Sequence, residues 1–359
     1  MKYFYSCMVL FILASCQKEE KKVIKHEETD WAFYKLNGNV KSITTKSWQV
    51  NGQLDKLKTM HEDQNARNSD LLFNEDGFLT KEKSYLTEAP IETITYNGRE
   101  KKLEVVQYMD NVPAIKTSYD WDTAGNNIAV TKRNTDNTQI DRVEMEYHKG
   151  KLAKTTTLSS QNVPTEKTTY INDSKGNVIE EDFYLNKETV QYKAIYKYDK
   201  KGRKISDARY TADGKLGYET IFNYDGKNIV KKYVVNDKGE TEYSEDFTYD
   251  AKGNVTSRTD FNKSDNSKNT DKFMYDDKGN RLFWQIYKND KPLILGKFTY
   301  DNKNNMISTI STDAKNNEID RREYGYEYDK KGNWIKKTVK IKGVPQYIAE
   351  RTITYYGNK

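Results

Sequence analysis

The sequence predicts an all-β protein, an antiparallel β-meander of about 12 two-stranded repeats with a period of about 26 residues, winding into a spiral or open solenoid-like sheet. Three observations carry this expectation. The pattern Tyr-Asp-x-x-Gly returns along the chain, as "YDKKGRKI" from Tyr198, "YDAKGNVT" from Tyr249, "YDDKGNRL" from Tyr275 and "YDKKGNWI" from Tyr328. Around these turns apolar and polar residues alternate with a period of two, which marks a strand with one packed face and one wet face. Only 35% of the 359 residues are hydrophobic, and that share includes 28 tyrosines, a thin supply for one large globular core.

The chain opens with Lys2 and a mostly apolar run from Met8 to Leu13. That run is far shorter than the roughly 20 residues that span a bilayer as a helix, so residues 1–15 read as an export signal. Leu13-Ala14-Ser15-Cys16 resembles the lipobox of bacterial lipoproteins, and the resemblance implies a lipidated Cys16 as the first mature residue. Two or three acyl chains make such attachment effectively permanent, so the membrane is a partner through the lipid alone. Cys7 leaves with the signal and Cys16 is modified, which excludes disulfides and cysteine metal sites.

Residues 16–30 form a charged tether. Gln17, Lys18, Glu19 and Glu20 are similar to the export signal that sends lipoproteins of one Gram-negative group to the cell surface. The resemblance implies the outer membrane and the cell surface; a solvated tether on a periplasm-facing lipoprotein is the alternative. Residues 31–92 are less regular and are expected to cap the array, which occupies residues 93–359. The net charge of +6 comes from 60 basic and 54 acidic residues spread throughout, a solvated repeat surface with no nucleic-acid patch.

The repeats are anchored at Phe73, Trp121, Tyr147, Asn172, Tyr198, Tyr249, Tyr275, Tyr300 and Tyr328, with shorter turns after Tyr96, Tyr224 and Tyr355. Counting from the turn glycine, positions −6 and −4 are aromatic or apolar, as in Tyr196 and Tyr198 or Phe273 and Tyr275. Position +3 is apolar in Ile128, Ile179, Ile205, Leu282 and Ile335, with Thr256 the exception. A four-residue loop from −3 to 0 would set −4 opposite +1 and −6 opposite +3, aromatic against aliphatic on one face. Aspartate at −3 accepts from amides two residues on, glycine supplies the left-handed conformation, and asparagine follows as a second turn former. A second turn closes each repeat, for example Asp213-Gly214, Lys238-Gly239 or Val344-Pro345.

The motif Tyr-Asp-x-x-Gly-Asn/Arg, complete at Tyr198–Arg203, Tyr249–Asn254, Tyr275–Asn280 and Tyr328–Asn333, resembles the YD repeat (RHS repeat) of the Rhs and teneurin families. The resemblance covers most of residues 93 to 357 and implies a spiralling β-sheet. In Rhs proteins the spiral becomes a shell around a toxin. Here the spacing is longer and no toxin domain is recognisable, so encapsulation is not expected.

No nucleophile elbow, zinc-binding His pair or phosphate loop occurs, and His26, His61 and His148 are scattered, so no enzyme and no cofactor are expected. Asp120 with Asp122, or Asp276 with Asp277, could serve as calcium ligands, but an aspartate capping its own turn explains each equally well. Trp334 at position +2 is the candidate ligand-binding residue, a ring expected on the wet face beside Glu327 and Lys336; a capping role beneath the C-terminal strand is its alternative. Together these readings predict an outer-membrane, surface-exposed lipoprotein acting as a non-catalytic binding or scaffold protein for a glycan or an envelope or host protein. An immunity or accessory lipoprotein of a YD-repeat toxin system is the second expectation.

Overall fold

The computed structural model describes residues 24–55, 60, 66–186 and 188–357. Each hairpin is organised from its turn. Asp250 accepts from the backbone N–H of Lys252 and of Asn254, both at 2.9 Å, and the Asn254 side-chain amide donates to the other carboxylate oxygen at 2.9 Å. Gly253 lies at φ 87°, the left-handed conformation expected of it. Asp122, Asp173, Asp276 and Asp301 form the same clamp with Asn126, Asn177, Asn280 and Asn305. After Tyr300 the glycine is missing, and Asn304 takes its place at φ 69°.

The tyrosine that opens the motif stitches its hairpin to the preceding one. The hydroxyls of Tyr198, Tyr224 and Tyr249 donate to the carbonyls of Val178, Lys204 and Ile229 at 2.8, 2.8 and 2.7 Å. Between β11 (Val178–Leu185) and β12 (Val190–Tyr198) the ladder begins only at Glu180 and Ile195. The hydroxyl of Tyr198 therefore satisfies a carbonyl that the ladder leaves over.

The register differs from the one expected. Tyr198 faces Lys204, Tyr249 faces Val255 and Tyr328 faces Trp334, so position −4 lies opposite +2. The next pair, such as Thr248 with Ser257, skips one residue, and Thr256 bulges out. Position +3 then follows +2 onto the face of −5, where the Thr256 and Thr248 hydroxyls hydrogen-bond at 2.9 Å. The turn is closed by Asp250 N–H donating to the Asn254 carbonyl, which pairs −3 with +1, and this one-residue difference in register turns the faces after the glycine over.

The larger correction concerns closure. Strands pair in sequence from β1 (Val40–Gln49) to β24 (Val344–Tyr355), and β1 then pairs antiparallel with β24 from Val40 against Tyr355 to Gln49 against Tyr347. Among the described residues the sheet is a closed barrel of 24 strands, which replaces the expected open spiral or solenoid. Nearly every hairpin carries a register shift beside its turn, at both rims, and such bulges bend and twist a sheet toward closure. At about 4.8 Å per strand the ring is about 115 Å around, or about 37 Å across if round and untilted.

The N-terminal segment fastens the seam at the rim of Tyr-Asp turns. The short helix α1 (Asp30–Phe33) docks on the turn between β2 (Ser69–Phe73) and β3 (Leu79–Leu86), where Trp31 N–H donates to the Gly77 carbonyl and Asp30 accepts from Leu79 N–H at 2.6 Å. A few residues on, Asn37 engages Asn333 in the turn between β22 (Glu318–Tyr328) and β23 (Trp334–Ile341). Trp31, Leu36, Val40, Ile43, Leu71, Phe73 and Leu79 form a core cluster beneath this strap.

Elsewhere the wall is thin and its two faces differ. Position −5 is exposed whatever its chemistry, as at Met274, Ile171 and Lys197. On the opposite face long side chains are nearly covered, including Tyr196, Glu245 and Lys337. A closed ring crowds side chains on its concave side and spreads them on its convex side, so the tyrosine face is the inner one. Ion pairs occur mid-strand on both faces, Lys232–Glu245–Arg258 within and Lys193–Glu180 without. Neither face therefore presents the unbroken apolar band that lipid-facing strands require.

Candidate binding groove

Cys16, Gln17, Lys18, Glu19 and Glu20 lie outside the described residues. Trp334 is half-buried on the inner face opposite Tyr328, edge-on to Tyr326 with ring centroids 6.5 Å apart. Glu327 and Lys336 pair at 3.3 Å on the other face, which corrects the expected grouping of the three. The Arg351 guanidinium of β24 stacks 3.6 Å from the Trp334 ring centroid. Burial pushes the Arg351 pKa down to about 10, and its Nε–H lacks a hydrogen-bond partner. One ring face of Trp334 is thus occupied by the C-terminal strand.

The aspartates considered for calcium are also engaged. Asp122 and Asp276 clamp their own turns, Asp120 lies 3.5 Å from Arg142, and Asp277 pairs with Lys252 at 2.9 Å. Among the described residues no cluster of three or more metal-ligating side chains forms.

A groove that the sequence did not disclose crosses the outer face of β1, β2 and β3. It exists because β2 has 5 residues, whereas β1 has 10 and β3 has 8. Where β2 is missing, the buried Asn68 replaces it. Its carbonyl oxygen accepts from the Ser47 N–H at 2.8 Å and from the Ser47 hydroxyl at 3.0 Å, while its amide donates to the Thr87 carbonyl at 3.2 Å. Two adjoining clefts of about 360 and 320 Å³ result, and both are lined by Thr44, Asp70 and Tyr85.

Asp70 is the hub. It accepts from the Thr44 hydroxyl at 2.7 Å and from the Tyr85 hydroxyl at 2.5 Å. Burial, and next the bond to this carboxylate, push the Tyr85 hydroxyl pKa up, so it stays a proton donor. Lys83 holds its ammonium 5.1 Å from the Tyr85 ring centroid and 5.9 Å from that of Tyr108. Lys46 and Glu88 line the end near Asn68, whereas Ser42, Leu72, Lys81 and Lys83 line the other. Hydroxyls, ammoniums and an exposed aliphatic edge at Leu72 suit a polyhydroxylated ligand.

No protein-family model matches this chain, and no characterised protein matches it in sequence. Similar solved structures include the Photorhabdus luminescens Tc holotoxin pore, 11% identical over 81% of this chain and 18% of that one, with a TM-score of 0.34. A TcdB2–TccC3 complex without its hypervariable C-terminal region is 11% identical over 80% and 18%, with a TM-score of 0.35. A porin-like protein from Bacteroides uniformis is 10% identical over 89% and 99%, with a TM-score of 0.23. The chain spans less than a fifth of the length of the two toxin chains.

Proposed function

We propose that this chain is a lipid-anchored, surface-exposed, non-catalytic binding protein of the outer membrane, built from YD-like repeats, whose ligand is a glycan. The groove around Asp70 and Tyr85 carries the reading, because it combines two adjoining clefts with convergent hydroxyl donors and acceptors. The anchor follows from Cys16 and the surface address from Gln17 to Glu20.

Two measurements test it. Cys16→Ala should release the protein from membranes on fractionation; an alanine variant that stays in the membrane through salt washing refutes the anchor. Mature protein should retain members of a surface-glycan panel, and Tyr85→Ala should lose them. Retention of a YD-repeat toxin fragment in place of every glycan would support the toxin-system role instead.

A further inference from the structure

We infer that the groove selects an acidic saccharide, with the ligand carboxylate held at the end formed by Lys81 and Lys83. This rests on the glycan reading above and adds the ligand's charge. Lys81 and Lys83 are two positions apart on β3, opposite Leu72 and Asp70, so their side chains leave the same face. Their Cα atoms are then about 6.7 Å apart, and two flexible ammoniums can converge on one anion. Neither forms an ion pair among the described residues.

The nearest carboxylate cannot cancel both of them, for Asp70, which accepts from the hydroxyls of Thr44 and Tyr85, sets one negative charge against two ammoniums. Lys83 lies against the Tyr85 and Tyr108 rings, and its ammonium donates no hydrogen bond among the described residues. Glu88, the other acid lining the groove among the described residues, lies at the opposite end with Lys46. The groove is therefore polarised. A ligand carboxylate is attracted to the Lys81 end, whereas Lys46 and Glu88 offset each other at the opposite end, and ring hydroxyls meet Thr44 and Tyr85 between them.

The test titrates the full mature lipoprotein, in detergent, with an oligogalacturonate and with the methyl ester of the same oligomer, by calorimetry. The acid should bind about tenfold more tightly than the ester at low salt, and the difference should shrink as salt is added. Lys81→Gln with Lys83→Gln should abolish the difference, so that the variant binds acid and ester with equal affinity. Equal binding of acid and ester, a preference that survives the double substitution, or binding of neither compound overturns the inference. Neutral glycans retained by the wild type and lost in Tyr85→Ala would then still uphold the glycan reading, whereas a panel with no glycan retained overturns both.

Discussion

Asn37 and Asn333, 296 positions apart, hold each other by two reciprocal hydrogen bonds: Asn37 N–H donates to the Asn333 side-chain oxygen at 2.7 Å, and the Asn333 amide donates to the Asn37 carbonyl at 2.9 Å. Asn333 is the residue that follows the last complete Tyr-Asp-x-x-Gly turn. In Asn254 and Asn280 the same amide closes the turn's own clamp. At the seam it is redirected to the N-terminal strap and to the Tyr355 hydroxyl, at 2.7 Å. Asn333→Ala should cost about 2 kcal/mol, since it removes three hydrogen bonds made by a buried side chain. Urea denaturation reads the total. Amide exchange should rise in β23, β24 and β1 first, and a rise spread evenly round the ring would count against a seam-specific role.

The turn glycines are not equivalent. All of Gly77, Gly202 and Gly253 have positive φ, which costs a residue with a β-carbon roughly 1–2 kcal/mol. A β-carbon at Gly202 would meet open space, but at Gly77 it would lie 2.6 Å from the buried Trp31 ring. Gly77→Ala should therefore destabilise by about 2 kcal/mol more than Gly202→Ala, because α1 must lift from its seat. Equal denaturation midpoints for the two variants would refute this.

Tyr198→Phe should remove about 1 kcal/mol, the net worth of a hydroxyl donated to a carbonyl that has no ladder partner. Tyr210 is a control on the neighbouring strand β13 (Lys204–Thr211), where its hydroxyl makes no such bond among the described residues, and Tyr210→Phe should be nearly silent. Stability curves for the pair separate the stitching hydroxyl from the loss of any phenol.

Acid and base should loosen the turns by different routes. The Asp250 and Asp276 carboxylates are held below their ordinary value of 3.8, first by the Asn254 and Asn280 side chains. Because the folded value is depressed, this stability is present above pH 3.8 and is lost as pH falls below it. Tyr328 and Tyr355 move the other way. Burial first, and then donation to Asp301 and Asp329, push both up to about 12 from an ordinary 10.0. Their contribution is intact below pH 10 and disappears as pH rises through 12. Phenolate absorbance should lag behind that of free tyrosine for these two, and Asp301→Asn should bring Tyr328 forward; no change would contradict the pairing.

Much of the architecture was legible in the sequence, and the residues show where legibility stopped. Asp250, Gly253 and Asn254 spell out a turn by local chemistry, so the hairpins and their order followed directly. Closure depends on Asn37 meeting Asn333 and on β1 meeting β24, contacts that no local pattern encodes. The face of Trp334 was lost to the register of its turn, in which Asp329 N–H donates to the Asn333 carbonyl and sets Tyr328 opposite Trp334. The groove was hidden for another reason: Asp70 and Tyr85 look like ordinary strand residues, and only the shortness of β2 opens the surface around them.

Closure also orders the events of folding. Each hairpin pairs residues close in sequence and can form early and independently, whereas the β1–β24 ladder joins segments about 300 residues apart and carries a larger loop entropy. The chain should first become a ribbon with two bare edges and only then shut. During that interval the edges of β1 and β24 are free to pair with another molecule, so the kinetic hazard of this protein is head-to-tail polymerisation through the unshut seam. The strap through α1 and Asn37 thus acts as a latch whose speed determines whether one chain makes a ring or many make a filament.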